Sequence, residues 1–322
     1  MGAIKPIARH GPVDQAALEQ APAAPRAAWY DRAGVLGTLM LGPALVYVAL
    51  LVGVPFVLAI VLSFSEATAG SLSLSFVGLR NFASVVTDSL FQRALRNTVL
   101  FTVVSQLTVM VMATTLATLL NMAFRGRRVV RFLLLLPWAA PIALSSMAWT
   151  WIFDSTFSVV NWTLSVLKLL KPGQWLYWFG DPQLAMLAII IVHVWRMLPF
   201  STVVLLAGMS SIPQEIVEAA VVDGASFWRR LFHVNVPLLL PVVTVAVLFG
   251  VVFTFTDLTV VYLLTRGGPY NTTHVLASLA FQRGILSANL GEGAAIALFL
   301  FPVLLVAAVL MLRLARRAEV GV

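Results

Sequence analysis

The sequence predicts an all-α, polytopic membrane protein with a core of six membrane-spanning helices. Of its 322 residues, 60% are hydrophobic and only 11% are charged, and the mean hydropathy is +0.96. Soluble domains carry about 25% charged residues, so most of this surface has to face lipid. Apolar runs of about 20 residues predict transmembrane helices. Such runs lie at approximately Val35–Phe64, Asn97–Phe124, Val130–Phe153, Leu184–Met209, Pro237–Leu264 and Ala294–Leu314.

The termini are predicted to be short polar tails. Residues 1–32 are rich in Ala and Pro and contain no apolar run. A signal peptide needs such a run, so we interpret this stretch as a tail and the first span as an uncleaved anchor. The predicted organisation is a tail over 1–34, a six-helix domain over 35–315 and a tail over 316–322. The role of residues 1–32 is left open.

The basic residues predict the orientation. Thirteen of the 21 Lys and Arg residues fall on one side of the spans, seven fall on the other, and Arg196 lies within the fourth span. Cytoplasmic loops carry the excess of positive charge, so both termini are predicted to be cytoplasmic. The net charge of +8 is dispersed over short loops beside membrane ends and needs no nucleic acid.

Enzyme chemistry finds no support in the sequence. The absence of cysteine excludes thiolate metal sites and Cys nucleophiles. There is no G-x-x-x-x-G-K-[ST] motif for ATP binding and no H-x-x-x-H or H-E-x-x-H metal motif. We therefore predict no catalytic residue, no metal site and no cofactor bound by this chain.

Ionisable residues within two spans are candidates for a polar pathway. His193 and Arg196 lie three residues apart on one face of span four, with Phe200 one turn further along, and Asp257 lies in span five. Such side chains near mid-membrane cost a few kcal/mol and usually face a cavity or a partner. Arg196 and Asp257 could instead form a packing ion pair, and the two interpretations are compatible. A proton relay is a weaker alternative, because Asp257 is the only acid within the spans.

The connection 210–236 predicts two short cytoplasmic helices. Ser211 and Gln214 form a capping-box pattern before a helix over Pro213–Val222. Asp223-Gly224 is expected to end this helix, and Ser226 to cap a second one. An amphipathic elbow at the membrane surface is the alternative interpretation.

This connection resembles the signature loop of permease subunits of ATP-driven, binding-protein-dependent (ABC) importers, particularly those of the maltose, trehalose and glycerol-phosphate type. The resemblance rests on Glu218-Ala219-Ala220, on Gly224 four residues later and on Val234-x-Val236-Pro237, where the family usually has leucine in place of Val236. Weaker similarities follow in the family's order from residue 35 to 315, at Phe76–Phe82, Ala94–Thr98, Leu134–Pro137 and Leu264–Pro269.

The resemblance implies a type I importer permease fold in a bacterial cytoplasmic membrane. The expected partners are two ATPase subunits, which use ATP and Mg, a second homologous permease, and an external sugar-binding protein. The loop would form a coupling helix that docks on an ATPase subunit, and the glutamate would pair with a basic residue there. The coupling residues are expected to be Glu218, Ala219, Ala220, Asp223, Gly224 and Ala225.

The resemblance also implies sugar contacts in three spans. We locate these contacts by counting without gaps from the glutamate and by aligning the Leu-Pro step of span three with the family. The positions are Trp138, Ile142, His193, Arg196, Met197, Phe200, Phe253, Thr254 and Asp257. Aromatic rings suit the apolar faces of a sugar, and the polar groups suit its hydroxyls. Which sugar is carried, and how much selectivity the binding protein holds, stay open. Arg196 leaves room for an anionic substrate.

Two rival functions remain at this point. A secondary transporter would use Asp257 as its ion-coupling acid, which explains Asp257 but not the segment from Glu218 to Pro237. A membrane scaffold without transport would not need charges at the depth of Arg196 and Asp257.

Overall fold

A computed structural model describes the backbone of residues 33–171 and 173–320, and the side chains of this set except 33–36, 71–74 and 315–320. The predicted tail therefore lies outside the described residues as far as residue 32. The chain divides into two compact units, 1–56 and 57–322. The elements at the start are α1 (Ala33–Val48), a π-helical stretch (Ala49–Gly53) and α2 (Val54–Ser63).

In the described part of the second unit, the regular elements are helices and one β-hairpin. The hairpin consists of β1 (Ser65–Thr68) and β2 (Ser71–Phe76). The helices that follow are α3 (Arg80–Thr87), α4 (Ser89–Asn121), α5 (Arg127–Ala139), α6 (Ile142–Ile152), α7 (Val159–Val166), α8 (Pro182–Ser211), α9 (Gln214–Val222), α10 (Phe227–Arg230), α11 (Val236–Leu238), α12 (Leu240–Phe255), α13 (Thr259–Thr265), α14 (Leu276–Phe281) and α15 (Leu290–Val320). Two π-helical stretches, Leu231–Asn235 and Gln282–Leu286, interrupt this series.

Within 33–171 and 173–320, four helices are long and apolar enough to cross a membrane, or up to six spans if each of two bent pairs counts as one. The four continuous helices are Gly37–Ser63, Ser89–Asn121, Pro182–Ser211 and Leu290–Leu314. The first pair is α5 with α6, bent by 97°, and the second joins Phe227–Leu238 to α12, bent by 73°. The bent pairs correspond to the third and fifth predicted spans, which the sequence analysis took as continuous.

Proline and aspartate account for these interruptions. Pro141 precedes α6 directly, and a residue before proline is disfavoured in the α-helical region. The preceding Ala140 is accordingly extended, with φ −70° and ψ 135°. In the fifth predicted span, Pro241 lies at the start of α12, and the helix ends at Phe255, two residues before Asp257. The predicted span Pro237–Leu264 is therefore α11, α12 and α13 in succession.

The β-hairpin is an element that the all-α prediction did not include. Ser65 pairs with Phe76 and Thr68 with Ser71 in antiparallel register. Gly70 forms the turn with φ +103°, a conformation that glycine adopts without a steric penalty. The backbone N–H of Ala69 donates to the carbonyl of Ala288 at 2.8 Å, so the hairpin is tied to the segment before α15.

Helix α8 lies at the centre of the second unit. Asp181 caps it by accepting from the backbone N–H groups of Gln183 and Leu184 at 2.9 and 3.0 Å. Its most apolar stretch is 61% buried, whereas the corresponding stretch of Leu290–Leu314 is 11% buried. At its last turns Gly208 packs closely on α12 and the residue before it, and a Cβ there would lie 3.0 Å from Leu239 and Val242. Helices α8 and α12 therefore meet with little space between them.

Candidate functional site

Asp257 lies in the non-helical step between α12 and α13 and satisfies the backbone there. Its Oδ1 accepts from the N–H groups of Thr259 at 2.8 Å and Val260 at 3.1 Å. These are the first two residues of α13, whose N–H groups have no partner within the helix. The carboxyl group is nearly fully buried. Asp257 is thus an acceptor that this break in an apolar segment requires.

His193 on α8 bridges Asp257 and Thr254. Its Nδ1 lies 2.8 Å from Asp257 Oδ2, and its Nε2 lies 2.9 Å from Thr254 Oγ1. The ring is fully buried, and its centroid lies 4.8 Å from that of Phe101 in an edge-on arrangement. Both ring nitrogens are therefore engaged by groups on α12 and just beyond it, and no nitrogen is left to face a substrate.

Arg196 contacts the same carboxylate from the next turn of α8. Its Nη1 lies 3.5 Å from Asp257 Oδ2, and its side chain is 28% exposed. This distance is long for a charge-assisted hydrogen bond, which is normally about 2.7–2.9 Å. The ion pair considered in the sequence analysis is therefore present in a loose form. The exposed part of the guanidinium is the portion of this cluster that a ligand could reach.

An aromatic cluster lies beside the charged group. Trp138 on α5 stacks on Phe200 with a centroid distance of 5.2 Å, and Phe253 lies 6.4 Å from both rings. Trp138 and Phe253 are more than 40% exposed. Phe249 completes the cluster at 6.2 Å from Phe200. The sequence analysis missed Phe249, although its position one turn before Phe253 signals a shared helix face.

Two predicted contact residues pack in or against the apolar core of the protein. Met197 is 4% exposed and belongs to the core cluster around α8, and Ile142 packs against the same cluster. Their assignment as substrate contacts stays a prediction.

A buried amide on α4 was also missed. Gln106 packs directly on Gly250 of α12, and its Nε2 has no hydrogen-bond partner in the protein. Gly250 in turn accepts a hydrogen bond from Thr254 Oγ1 at 2.7 Å. A single glutamine within a long apolar span is the signal that could have identified it.

The connection after α8 folds as the predicted pair of short helices. Helix α9 ends at Asp223-Gly224, where Gly224 has φ +75°. Ser226 then caps α10 by accepting from the N–H of Arg229 at 3.4 Å. The predicted capping box is wrong, because Ser211 still belongs to α8 and donates to the carbonyl of Gly208.

The surface of α9 is available to a partner. No residue of α9 is buried, although the helix carries apolar side chains such as Val222, which is 87% exposed. Glu218 accepts from Gln214 Nε2 at 2.8 Å and is exposed. None of the predicted coupling residues between α8 and α10 is buried, and their docking role stays a prediction.

A second buried histidine lies outside the spans, in the connection between α13 and α14. His274 Nδ1 lies 3.0 Å from Ser278 Oγ. Burial, with a smaller contribution from the positive charge of Arg283, lowers the pKa of His274 to about 4. Asn97 of α4 holds this connection by donating to the carbonyls of Thr272 and His274 at 2.7 and 2.9 Å. His274 is therefore a neutral structural group at pH 7.

The sequence of this chain matches a family model and several named transport proteins. Residues 110–320 match the family described as the inner membrane component of binding-protein-dependent transport systems. The trehalose/maltose transport system permease protein MalF of Thermococcus litoralis is 34% identical over 88% of this chain and 95% of its own length. SmoG, a sulfoquinovosyl glycerol transport system permease protein of Agrobacterium fabrum, is 31% identical over 90% of this chain and 94% of its own. DasB, a diacetylchitobiose uptake system permease protein of Streptomyces coelicolor, is 32% identical over 91% of each chain.

Solved structures agree on the fold. A bacterial ABC transporter involved in the import of alginate superposes with a TM-score of 0.76 at 22% identity, covering 89% of this chain and 97% of that one. The predicted importer permease fold and the predicted resemblance to this family of permeases are thus confirmed, whereas the cytoplasmic position of both termini stays a prediction. A secondary transporter is not favoured. The chain belongs to the family of inner membrane components of binding-protein-dependent transport systems.

Proposed function

We propose that this chain is the permease subunit of an ATP-driven importer that carries a sugar across a bacterial cytoplasmic membrane. The observation that supports it most is the combination of a charged and aromatic cluster on α8 and α12 with an exposed helix pair that directly connects these two helices. The three relatives named above bear the names of sugar or sugar-glycerol transport systems. We take a di- or oligosaccharide as the cargo, and it is moved without chemical change.

The ATPase activity belongs to partner subunits. The chain has no P-loop motif, so two ATP-binding subunits supply ATP and Mg chemistry. A second homologous permease completes the pathway, and an external binding protein delivers the sugar. The open surface of α9, with Glu218 and the turn at Gly224, is the docking element for one ATPase subunit.

Transport proceeds by alternating access, with α8 and α12 as the moving parts. Closure of the ATPase subunits displaces α9, which follows α8 after only two residues. Because Gly208 lets α8 pack tightly on Leu239 and Val242, the two helices respond together. The movement reaches the cluster of Arg196 and Phe253, which are carried by the same two helices.

The sugar is recognised by stacking and by hydrogen bonds. The exposed faces of Trp138 and Phe253 offer apolar surfaces for sugar rings, and Arg196 offers free N–H donors. His193 is hydrogen-bonded to both Thr254 and Asp257, so these three residues hold the site in place and are not first contacts. The second permease provides the opposite wall.

The experiment that tests this proposal is recovery of the assembled complex. The chain is tagged, extracted in mild detergent and analysed for co-purifying polypeptides. We expect an ATPase subunit and a second permease in near-stoichiometric amounts, and sugar uptake by reconstituted vesicles that requires internal ATP. Recovery of the folded chain alone, with uptake abolished by an ionophore and independent of ATP, would favour the secondary transporter.

Coupling is tested by a matched pair of variants on α9. Glu218→Ala removes the carboxylate expected to face the ATPase subunit, whereas Glu215→Ala removes one from the first turn of the same helix. We expect Glu218→Ala to lower ATP-dependent uptake and ATPase recovery, and Glu215→Ala to leave both near the original level. Equal behaviour of the two variants contradicts the assignment of Glu218.

A further inference from the structure

The hydrogen bonds around His193 determine how many protons the cluster holds. The hydroxyl of Thr254 donates its single proton to the carbonyl of Gly250 at 2.7 Å. Toward His193 Nε2, 2.9 Å away, the same oxygen can therefore only accept. Nε2 must carry a hydrogen and donate it.

The other ring nitrogen shares a second proton with Asp257. Nδ1 and Asp257 Oδ2 lie 2.8 Å apart, and two bare acceptors do not approach so closely. The proton lies either on Nδ1, giving an imidazolium and a carboxylate, or on Oδ2, giving a neutral imidazole and a carboxylic acid. In both arrangements the charges of His193 and Asp257 sum to zero.

Arg196 is consequently left without a balancing charge in this cluster. Its guanidinium is always protonated. In the part of the chain that the structure describes, its salt bridge is to Asp257 at 3.5 Å, and that carboxyl group is already neutralised by His193. The cluster of His193, Arg196 and Asp257 therefore carries a net charge of +1 at membrane depth, where an unbalanced charge is costly.

We infer that the cargo is an anionic sugar, one that carries a carboxylate, phosphate or sulfonate group. The anion would neutralise the exposed guanidinium of Arg196, which can bind such groups through two parallel N–H donors. The sugar ring would lie on the neighbouring faces of Trp138 and Phe253. This inference rests on the proposed sugar import and adds the chemical class of the cargo.

This arrangement of protons predicts that variants of His193 and Asp257 change the net charge of the cluster. A role of Arg196 as a simple contact residue does not predict this effect. Arg196→Gln removes the positive charge directly. His193→Gln leaves Arg196 in place, but Asp257 is then no longer neutralised by the histidine. The net charge of the cluster therefore falls from +1 to zero. Asp257→Asn keeps the net charge of the cluster at +1, because His193 is then neutral. The double variant His193→Gln/Asp257→Asn also has a net charge of +1, which is that of Arg196.

The test is ATP-dependent uptake by the reconstituted complex with its binding protein, using two matched probe pairs. The pairs are cellobiose with glucuronosyl-glucose, and trehalose with trehalose 6-phosphate. We expect the anionic member of at least one pair to be preferred. Loss of a charged hydrogen-bonding partner should lower its uptake by about ten- to a hundredfold in Arg196→Gln and His193→Gln. Most of that loss should be recovered in His193→Gln/Asp257→Asn. Co-purification of the partners with each variant checks that it folds and assembles.

The outcomes separate the inference from the proposed function. ATP-dependent uptake of neutral probes only, insensitive to Arg196→Gln, overturns the anionic cargo and leaves sugar import standing. If uptake of the anionic probe is lost in His193→Gln and is not recovered in His193→Gln/Asp257→Asn, the charge argument is overturned. Uptake of all four probes that is independent of ATP overturns the importer itself.

Discussion

Removal of the Asp257 carboxyl group should destabilise the chain by a predictable amount. Asp257→Ala abolishes the two hydrogen bonds from the first turn of α13 and leaves His193 and Arg196 without their acid. Loss of a cap costs about 1 kcal/mol, and breaking a buried pair by removing one partner costs about 3–5 kcal/mol. Because Arg196 is partly exposed, we expect a total at the lower end of this range, about 4 kcal/mol.

Asp257→Asn is the matched control for this prediction. Its amide oxygen can still accept from the N–H groups of Thr259 and Val260, while His193 becomes neutral beside it. The change then resembles the loss of one ordinary hydrogen bond, about 1 kcal/mol. The gap of about 3 kcal/mol between the two variants therefore measures the polar contacts that an amide keeps and a methyl group loses, which are the cap of α13 and the contact with His193.

The assay is reversible unfolding of the purified chain in mixed micelles of mild detergent and sodium dodecyl sulfate. Tryptophan fluorescence reports the transition, since the chain contains nine tryptophans. Equal losses for Asp257→Ala and Asp257→Asn would refute the reasoning. So would an Asp257→Ala variant as stable as the original protein, because the carboxyl group would then carry neither the cap nor the pair.

Three further predictions concern other parts of the chain. Gly224→Val should reduce ATP-coupled uptake by straining a residue at φ +75°, whereas Gly224→Asn, which tolerates this conformation, should retain most of it; equal loss in both would argue against the turn. Trp138→Ala should lower sugar uptake by removing the ring stacked on Phe200, and Trp138→Phe should preserve most of it; full uptake by the alanine variant would exclude stacking on this ring. His274 is neutral in the folded chain down to pH about 4, whereas an unfolded histidine gains its proton near pH 6.5. The free energy of unfolding should therefore fall by about 3 kcal/mol as the pH drops from 6.5 to 4, and His274→Gln should flatten this profile; an unchanged profile in that variant would assign the loss to other groups.

The membrane spans could be predicted because their physical signal is local. A helix that crosses lipid needs about 20 apolar residues, and each predicted run corresponds to a long helix or to a bent pair of helices. Ser226 and Gly224 were also predictable, since a capping hydroxyl and a left-handed glycine depend on their immediate neighbours. The capping box at Ser211 failed because α8 continues two residues beyond its predicted end, so that serine bonds within the helix.

Features that depend on distant partners could not be predicted in this way. The β-hairpin rests on a hydrogen bond from Ala69 to Ala288, more than 200 residues away. The sequence does not distinguish Met197 from a residue that lines a pathway, because its burial follows from how other helices pack around α8. The close approach of Gln106 to Gly250 likewise depends on the crossing of α4 and α12.

Asp257 shows how the structure can change the physical reason for which a residue is singled out in a sequence. From the sequence, Asp257 is a charge within an otherwise continuous span, where its cost predicts a function. In the structure the helix stops at Phe255, and non-helical backbone at membrane depth needs partners inside the protein. Asp257 supplies an acceptor for two of the exposed N–H groups and, with the same carboxyl group, engages His193 of α8. One carboxyl group thus satisfies both the broken helix and the buried histidine, and it adds a polar connection to the apolar packing of α12 and α13 on α8. A permease whose α8 and α12 have to move together would need a connection of this kind.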